Sequence, residues 1–118
     1  MQKYLLDTNT IIYALNKGYR FPNNRYLVSV ISEIELLSFS KLTKQEEEIL
    51  KRALSKFESI ELHARVKEES IKLRKETKIK LPDCIIIATA IVEKAILVTS
   101  DKQLLNSQIV QTISLEQL

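Results

Sequence analysis

Apolar residues fall along the chain in short unbroken runs, separated by longer stretches with helical spacing. The runs "KYLL" (3–6), "YLVSV" (26–30), "SIEL" (59–62), "AILVTS" (95–100) and "IVQTI" (109–113) read as strands. Thr10 is expected to cap a helix through "IIYALN", and Gly18 to end it in a left-handed turn. "RFPNNR" (20–25) is loop by its Pro and Asn content, and "SEIELLSF" reads as helix from Ser32. "TKQEEEILKRALSKF" (43–57) opens on Thr43, has its acids early and its basic residues late, and aligns Ile49, Leu50, Ala53, Leu54 and Phe57. "ARVKEESIKLRKETK" (64–78) is a charged helix, and Pro82 starts an apolar one that runs to about Lys94. Strands that alternate with helices, and are apolar throughout, indicate a mostly parallel sheet covered on both faces. With right-handed crossovers this predicts a three-layer α/β/α sandwich around four or five strands.

The length of 118 residues predicts one domain, residues 1–118, with a single core. No apolar run is long enough to span a bilayer, and the start "MQKYLLDTNT" lacks a basic-then-apolar leader pattern. No membrane association is expected. The lone Cys84 rules out an internal disulfide and a cysteine zinc site, and its apolar surroundings make it a core residue. A reducing cytoplasm is the expected compartment. Gly18 is the only glycine, which excludes a phosphate-cradling Walker loop and a dinucleotide fingerprint, and with them a nucleotide cofactor. The net charge of +3 permits a polyanionic partner without establishing one.

The acids change this picture. Asp7 follows the first strand, Glu35 lies in the first turn of the helix after the second, and Asp101 follows "LVTS". In a parallel sheet these points share the carboxyl edge, where open α/β folds bind ligands. Asp83 joins them if its helix starts from that edge. Each acid also has a plain structural explanation. Asp7 and Asp101 suit turns or helix caps, "SEIE" suits a capping box from Ser32 to Glu35, and Asp83 suits the dipole of a proline-initiated helix. Four independent caps need not converge on one edge, whereas a metal site must. Carboxylates gathered there either retain protons or hold a hard divalent cation, Mg²⁺ or Mn²⁺ by ligand type.

At these residues the sequence resembles a PIN-domain nuclease, and within that family the VapC-type toxins of bacterial toxin–antitoxin pairs. "YLLDTNTIIYAL" (4–15) is similar to the family's opening, and "VSVISEIELLSF" (28–39) to its second element, where the Glu directly before Leu selects Glu35 over Glu33. "KLPDCIIIATAI" (80–91) and "LVTSDKQL" (97–104) resemble the third and fourth. The resemblance implies a metal-dependent endoribonuclease for structured RNA, usually a homodimer, held inactive by a small antitoxin whose C-terminal segment enters the active-site groove.

Phosphodiester hydrolysis requires an activated water and charge relief on the leaving oxygen, which one or two Mg²⁺ or Mn²⁺ ions supply. Mg²⁺ takes only one or two carboxylates directly. Asp7 and Asp101 are therefore expected as direct ligands. Asp83 is expected to bind directly or through water, and Glu35 to bind through water or orient the nucleophile. Asn9 and Thr99 are expected to support the carboxylates, while Thr8 and Ser100 fit turn chemistry. Lys80, Lys102, Arg20 and Arg25 are the candidate cations for RNA. Tyr13 and Tyr19 could stack on bases, but at helical positions core or groove packing is the better account of them. A receiver-type signalling domain also gathers acids around Mg²⁺, but it needs paired acids after the first strand and a Lys ending the last, and this chain has neither. The surviving alternative is a catalytically silent PIN-fold module that binds RNA or protein.

Overall fold

The computed structural model describes residues 2–118. Five strands, β1 (Lys3–Leu6), β2 (Arg25–Ser29), β3 (Glu58–Ile60), β4 (Ile96–Val98) and β5 (Thr112–Ile113), form one sheet in the order β3-β2-β1-β4-β5. Every pairing is parallel. The helices are α1 (Thr8–Lys17), α2 (Val30–Leu37), α3 (Lys44–Leu54), α4 (Ala64–Glu76), α5 (Leu81–Glu93) and α6 (Lys102–Ser107), with a 3₁₀ turn at Leu115–Gln117.

Alternation along the strands divides the core into two layers. Leu5 is level with Leu27 and Leu97, and all three belong to a cluster with Val66 and Leu73 of α4, Cys84–Ala88 of α5 and Leu104 of α6. Leu6 is level with Val28 and Val98, and these pack with Ile11 and Ala14 of α1, Leu36 of α2, and Leu50 and Leu54 of α3. Successive residues of one strand therefore feed opposite layers, which is why the strands are apolar without interruption. The expected three-layer sandwich is present, with a sheet that is wholly parallel.

Helix starts differ from expectation in two places near the candidate acids. The first helix begins at Thr8, because the Asp7 carboxylate accepts the Thr10 amide at 2.8 Å and so caps it; Thr10 itself is inside the helix. The second begins at Val30, with Ser29 Oγ accepting the Ile31 amide at 3.2 Å. Ser32 is thus a buried interior residue, and the expected capping box from Ser32 to Glu35 does not form. Glu35 consequently lies in the second turn of α2, not the first. Gly18 ends α1 at φ 61°, as its left-handed role requires. Capping boxes form instead at Thr43 and Glu46 of α3 and at Ser114 and Gln117 of the 3₁₀ turn.

The strand order reverses between β1 and β4. The chain builds outward through β2 and β3, then returns through α4 and α5 to add β4 and β5 on the other side. A parallel β4 must start at the amino edge directly after α5, so α5 runs antiparallel to the strands and begins at the carboxyl edge. That condition brings Asp83 to the same edge as Asp7.

Ile87 of α5 is fully buried, whereas Ile71 of α4 is 49% exposed. Ile87→Ala is expected to lower unfolding free energy by about 2–5 kcal/mol in urea titrations. Ile71→Ala is expected to change it by no more than about 0.5 kcal/mol.

Candidate functional site

Asp7 sits where β1 stops, and Asp101 two residues beyond Thr99 at the end of β4. The two strands are neighbours on either side of the point where strand order reverses, the place where α/β sheets open a crevice. Asp7 is 5% exposed and carries its charge into the core's rim. Its Oδ1 accepts the Thr10 amide, and its Oδ2 accepts the Thr99 hydroxyl. Thr99 Oγ1 in turn accepts the Asp101 amide at 3.0 Å, so one buried threonine connects the two aspartates. Thr10 contributes again through its own hydroxyl, which donates to the Val98 carbonyl at 3.1 Å and ties α1 to β4. Asp101 caps α6, its Oδ1 accepting the amides of Gln103 at 2.8 Å and Leu104 at 3.4 Å. The plain cap roles expected for Asp7 and Asp101 are therefore real, and they orient both carboxylates rigidly.

Glu35 arrives from α2. The Thr8 hydroxyl donates to Glu35 Oε1 at 2.7 Å and lies 2.9 Å from Ser32 Oγ. Glu33 turns elsewhere, accepting the hydroxyl of Ser59 in β3. Asp83 is the third residue of α5, part-buried in the helix's first turn. Burial pushes its carboxyl pKa up, and the charges of Asp101, Glu35 and Asp7 push it further, with Lys80 opposing. The four acids thus share one electrostatic field although they come from four separate segments.

The supporting residues are partly different from those expected. Thr99 holds Asp7 as anticipated, but Asn9 is exposed on the first turn of α1 and is not among the groups fixing these carboxylates. Thr8, read from sequence as turn chemistry, holds Glu35, and Thr10 and Ser32 complete the network. Their signal was position: Thr8 and Thr10 directly flank the first aspartate motif, and Ser32 stands one turn before Glu35. Lys80 and Lys102 are exposed beside Asp83 and Asp101. Arg20 and Arg25 are not at this edge. Arg20 follows the C-terminus of α1, after that helix has run away from Asp7. Arg25 begins β2, level with Lys3, and is bound to Glu58 through Nε at 3.0 Å and Nη2 at 2.7 Å. The ion pair raises the Arg25 pKa and lowers that of Glu58.

A family model described as PIN domain matches residues 4–107. The chain belongs to the PIN-domain family. Among solved structures it is similar to VapBC2 from Rickettsia felis bound to a promoter DNA fragment, at 28% identity and TM-score 0.81, covering 96% of this chain and 98% of that one. A toxin–antitoxin complex from Klebsiella pneumoniae is 33% identical at TM-score 0.71, with 85% of this chain and 88% of that one covered. VapBC from Salmonella typhimurium, at 18% identity and TM-score 0.80, shares the fold over 97% of this chain and 98% of that one. No match is found among curated proteins. This PIN domain is VapC-like in architecture, with the resembling motifs at the four acidic positions.

The donor set of this PIN domain suits a hard cation, being all oxygen. It is not a closed cage. Among the described residues no three His, Cys, Asp or Glu side chains are gathered closely enough to hold an ion between them. The expected direct set of Asp7, Asp83 and Asp101 is thus not preassembled around one point. Both Asp7 oxygens and one of Asp101 are held by the chain, while among the described residues no hydrogen bond holds the Asp83 carboxylate. Such an arrangement fits Mg²⁺, which retains several waters and takes few carboxylates directly.

A raised Asp83 pKa means that the folded chain binds this proton more tightly than the unfolded chain does. Stability therefore falls as pH rises from the ordinary aspartate range through the raised value. Without metal, Asp83→Asn is expected to melt at a higher temperature than wild type at pH 7. The difference should close as pH drops through about 4, where both states of wild type become protonated. Calorimetric melting of both proteins across that range checks the sign.

Proposed function

We propose that the chain is a metal-dependent endoribonuclease for structured RNA and the toxin of a toxin–antitoxin pair. The observation that carries this reading is the convergence of Asp7, Glu35, Asp83 and Asp101 on the carboxyl edge, with Asp83 feeling the charge of all three others. Family membership supports nuclease chemistry, and the similarity to toxin–antitoxin complexes supports an antitoxin partner. Exposed Ile12, Leu15, Ile34 and Phe39 on and beside α1 and α2 supply apolar surface for a partner chain or for a homodimer. The toxin reading carries a cytoplasmic location with it; among the described residues no helix is long and apolar enough to cross a membrane.

Asp7 and Asp101 would hold Mg²⁺ or Mn²⁺ directly, being the carboxylates with fixed orientation. Asp83 would bind directly or through water. Glu35, hydrogen-bonded by Thr8, would bind through water or orient the attacking water. A divalent cation held by these residues would supply water activation and charge relief at the leaving oxygen. Lys80 and Lys102 flank the acids and would engage RNA phosphates, a contribution that weakens with salt.

Purified protein is expected to cleave structured RNA with Mg²⁺ or Mn²⁺ and to stop when EDTA is added. Thr99→Val should reduce the rate by about 10–100-fold, the usual cost of losing a partner that orients a ligand. Asp7→Asn and Asp101→Asn should reduce it further. Cleavage that survives EDTA, or proceeds equally in both aspartate variants, would sink the mechanism, and wild type inactive on every RNA pool would favour a silent binding module.

A further inference from the structure

Beside the carboxylates lies a small cleft that none of the roles above uses. Its lining is Thr10 and Tyr13 of α1, Ser100, and Leu115 and Glu116 of the C-terminal 3₁₀ turn, around about 140 Å³. That is well below the size of a drug-like ligand pocket and suits one planar ring system. Two of its walls are continuous with the acids. The Thr10 amide is bonded to Asp7, and Ser100 lies between Thr99 and Asp101. The third wall is brought in by the final strand: β5 pairs with β4, the Thr99 amide donates to the Ile113 carbonyl at 3.0 Å, and the Tyr19 hydroxyl donates to the Leu115 carbonyl at 3.3 Å. Leu115 is buried beneath the cleft, while Tyr13 is 47% exposed and keeps ring surface available. Lys17 Nζ stands 5.7 Å from the centre of the same ring.

These groups are what a single unpaired base requires: an aromatic face, an apolar floor, and a directional polar group at the edge. We propose that the cleft binds the base of a nucleotide next to the cleaved phosphate, with Tyr13 stacking on it and Glu116 selecting guanine. This rests on the nuclease reading given above. A carboxylate has only acceptors, so it favours the base that offers two donors side by side. Guanine does so with N1–H and the N2 amine. Adenine and cytosine each place a ring acceptor beside their amine, and uracil flanks its one N–H with two carbonyls, so both arrangements set oxygen or nitrogen lone pairs against Glu116. Ser100, able to donate or accept, tolerates any base.

Labelled pentaribonucleotides A-A-X-A-A, with each base at X, test the assignment by fluorescence anisotropy in Ca²⁺ buffer, and the cut positions in a random RNA pool are read in Mg²⁺. Wild type is expected to bind X = G about tenfold more tightly than the other three, in line with the discrimination given by bidentate base contacts. It should also cut next to guanine. Glu116→Gln should erase the preference. Tyr13→Ala should weaken all four about tenfold, keeping their order. Both side chains are exposed, so circular dichroism should show both variants folded. Equal binding of the four pentamers by wild type, or a guanine preference that survives Glu116→Gln, overturns the proposal. Guanine-selective binding without cleavage would instead leave the cleft standing and remove the nuclease reading, while cleavage without base preference would do the reverse.

Discussion

The pairing of β1 with β4 is the constraint on which the rest depends. Leu5 and Leu6 lie level with Leu97 and Val98, joining segments that are more than ninety residues apart in the chain. That pairing fills both core layers at their centre, since Leu5 and Leu97 face one set of helices and Leu6 and Val98 the other. It also sets Thr99 against Asp7, and the threonine hydroxyl then carries the alignment through to the amide of Asp101. Burying Asp7 is tolerated because both of its oxygens accept hydrogen bonds at the rim. Without the strand pair, neither core layer nor acid cluster would exist.

Structural demands and those of the proposed metal site fall on the same atoms here. The carboxylates of Asp7 and Asp101 each cap a helix, and the same hydrogen bonds hold them rigid. A cap needs a carboxylate at the helix start, and a site at the carboxyl edge of a parallel sheet needs one at the strand end. In a βα connection as short as these, the two positions coincide. Asp83 differs, because the described chain offers it little compensation for burial and repulsion. Burial and the neighbouring carboxylates therefore both disfavour its charged form.

The motif "KLPDCIIIATA" shows how the demands are divided. Cys84 to Ala90 are all buried, so α5 is fixed in its layer by a continuous run of buried side chains through its middle. Pro82 and the exposed Lys80 mark its start. The charge of Asp83 is thereby held at the sheet edge by the burial of the residues that follow it, and an apolar helix serves as the mount for one acid.

Much of this was legible in the chain itself. Uninterrupted apolar strands alternating with helices specify a parallel, doubly covered sheet, because no other arrangement hides both faces of such strands. The four acids and Thr99 stood out as candidates because the spacing of each motif places it at a strand or helix end. Local chemistry also settled Gly18 and the Thr43 cap. Other features depend on contacts between distant segments. Ser29, not Ser32, starts α2, because β2 stops where its sheet partners stop. Thr8 reaches Glu35 only when α1 and α2 pack together. Arg25, apparently free in sequence, is claimed by Glu58 across the β2–β3 pair. Short-range pattern determined which elements form and which residues carry charge; the packing of elements decided which of those charges meet, because hydrogen bonds and Coulomb forces act through space and sequence spacing does not record it.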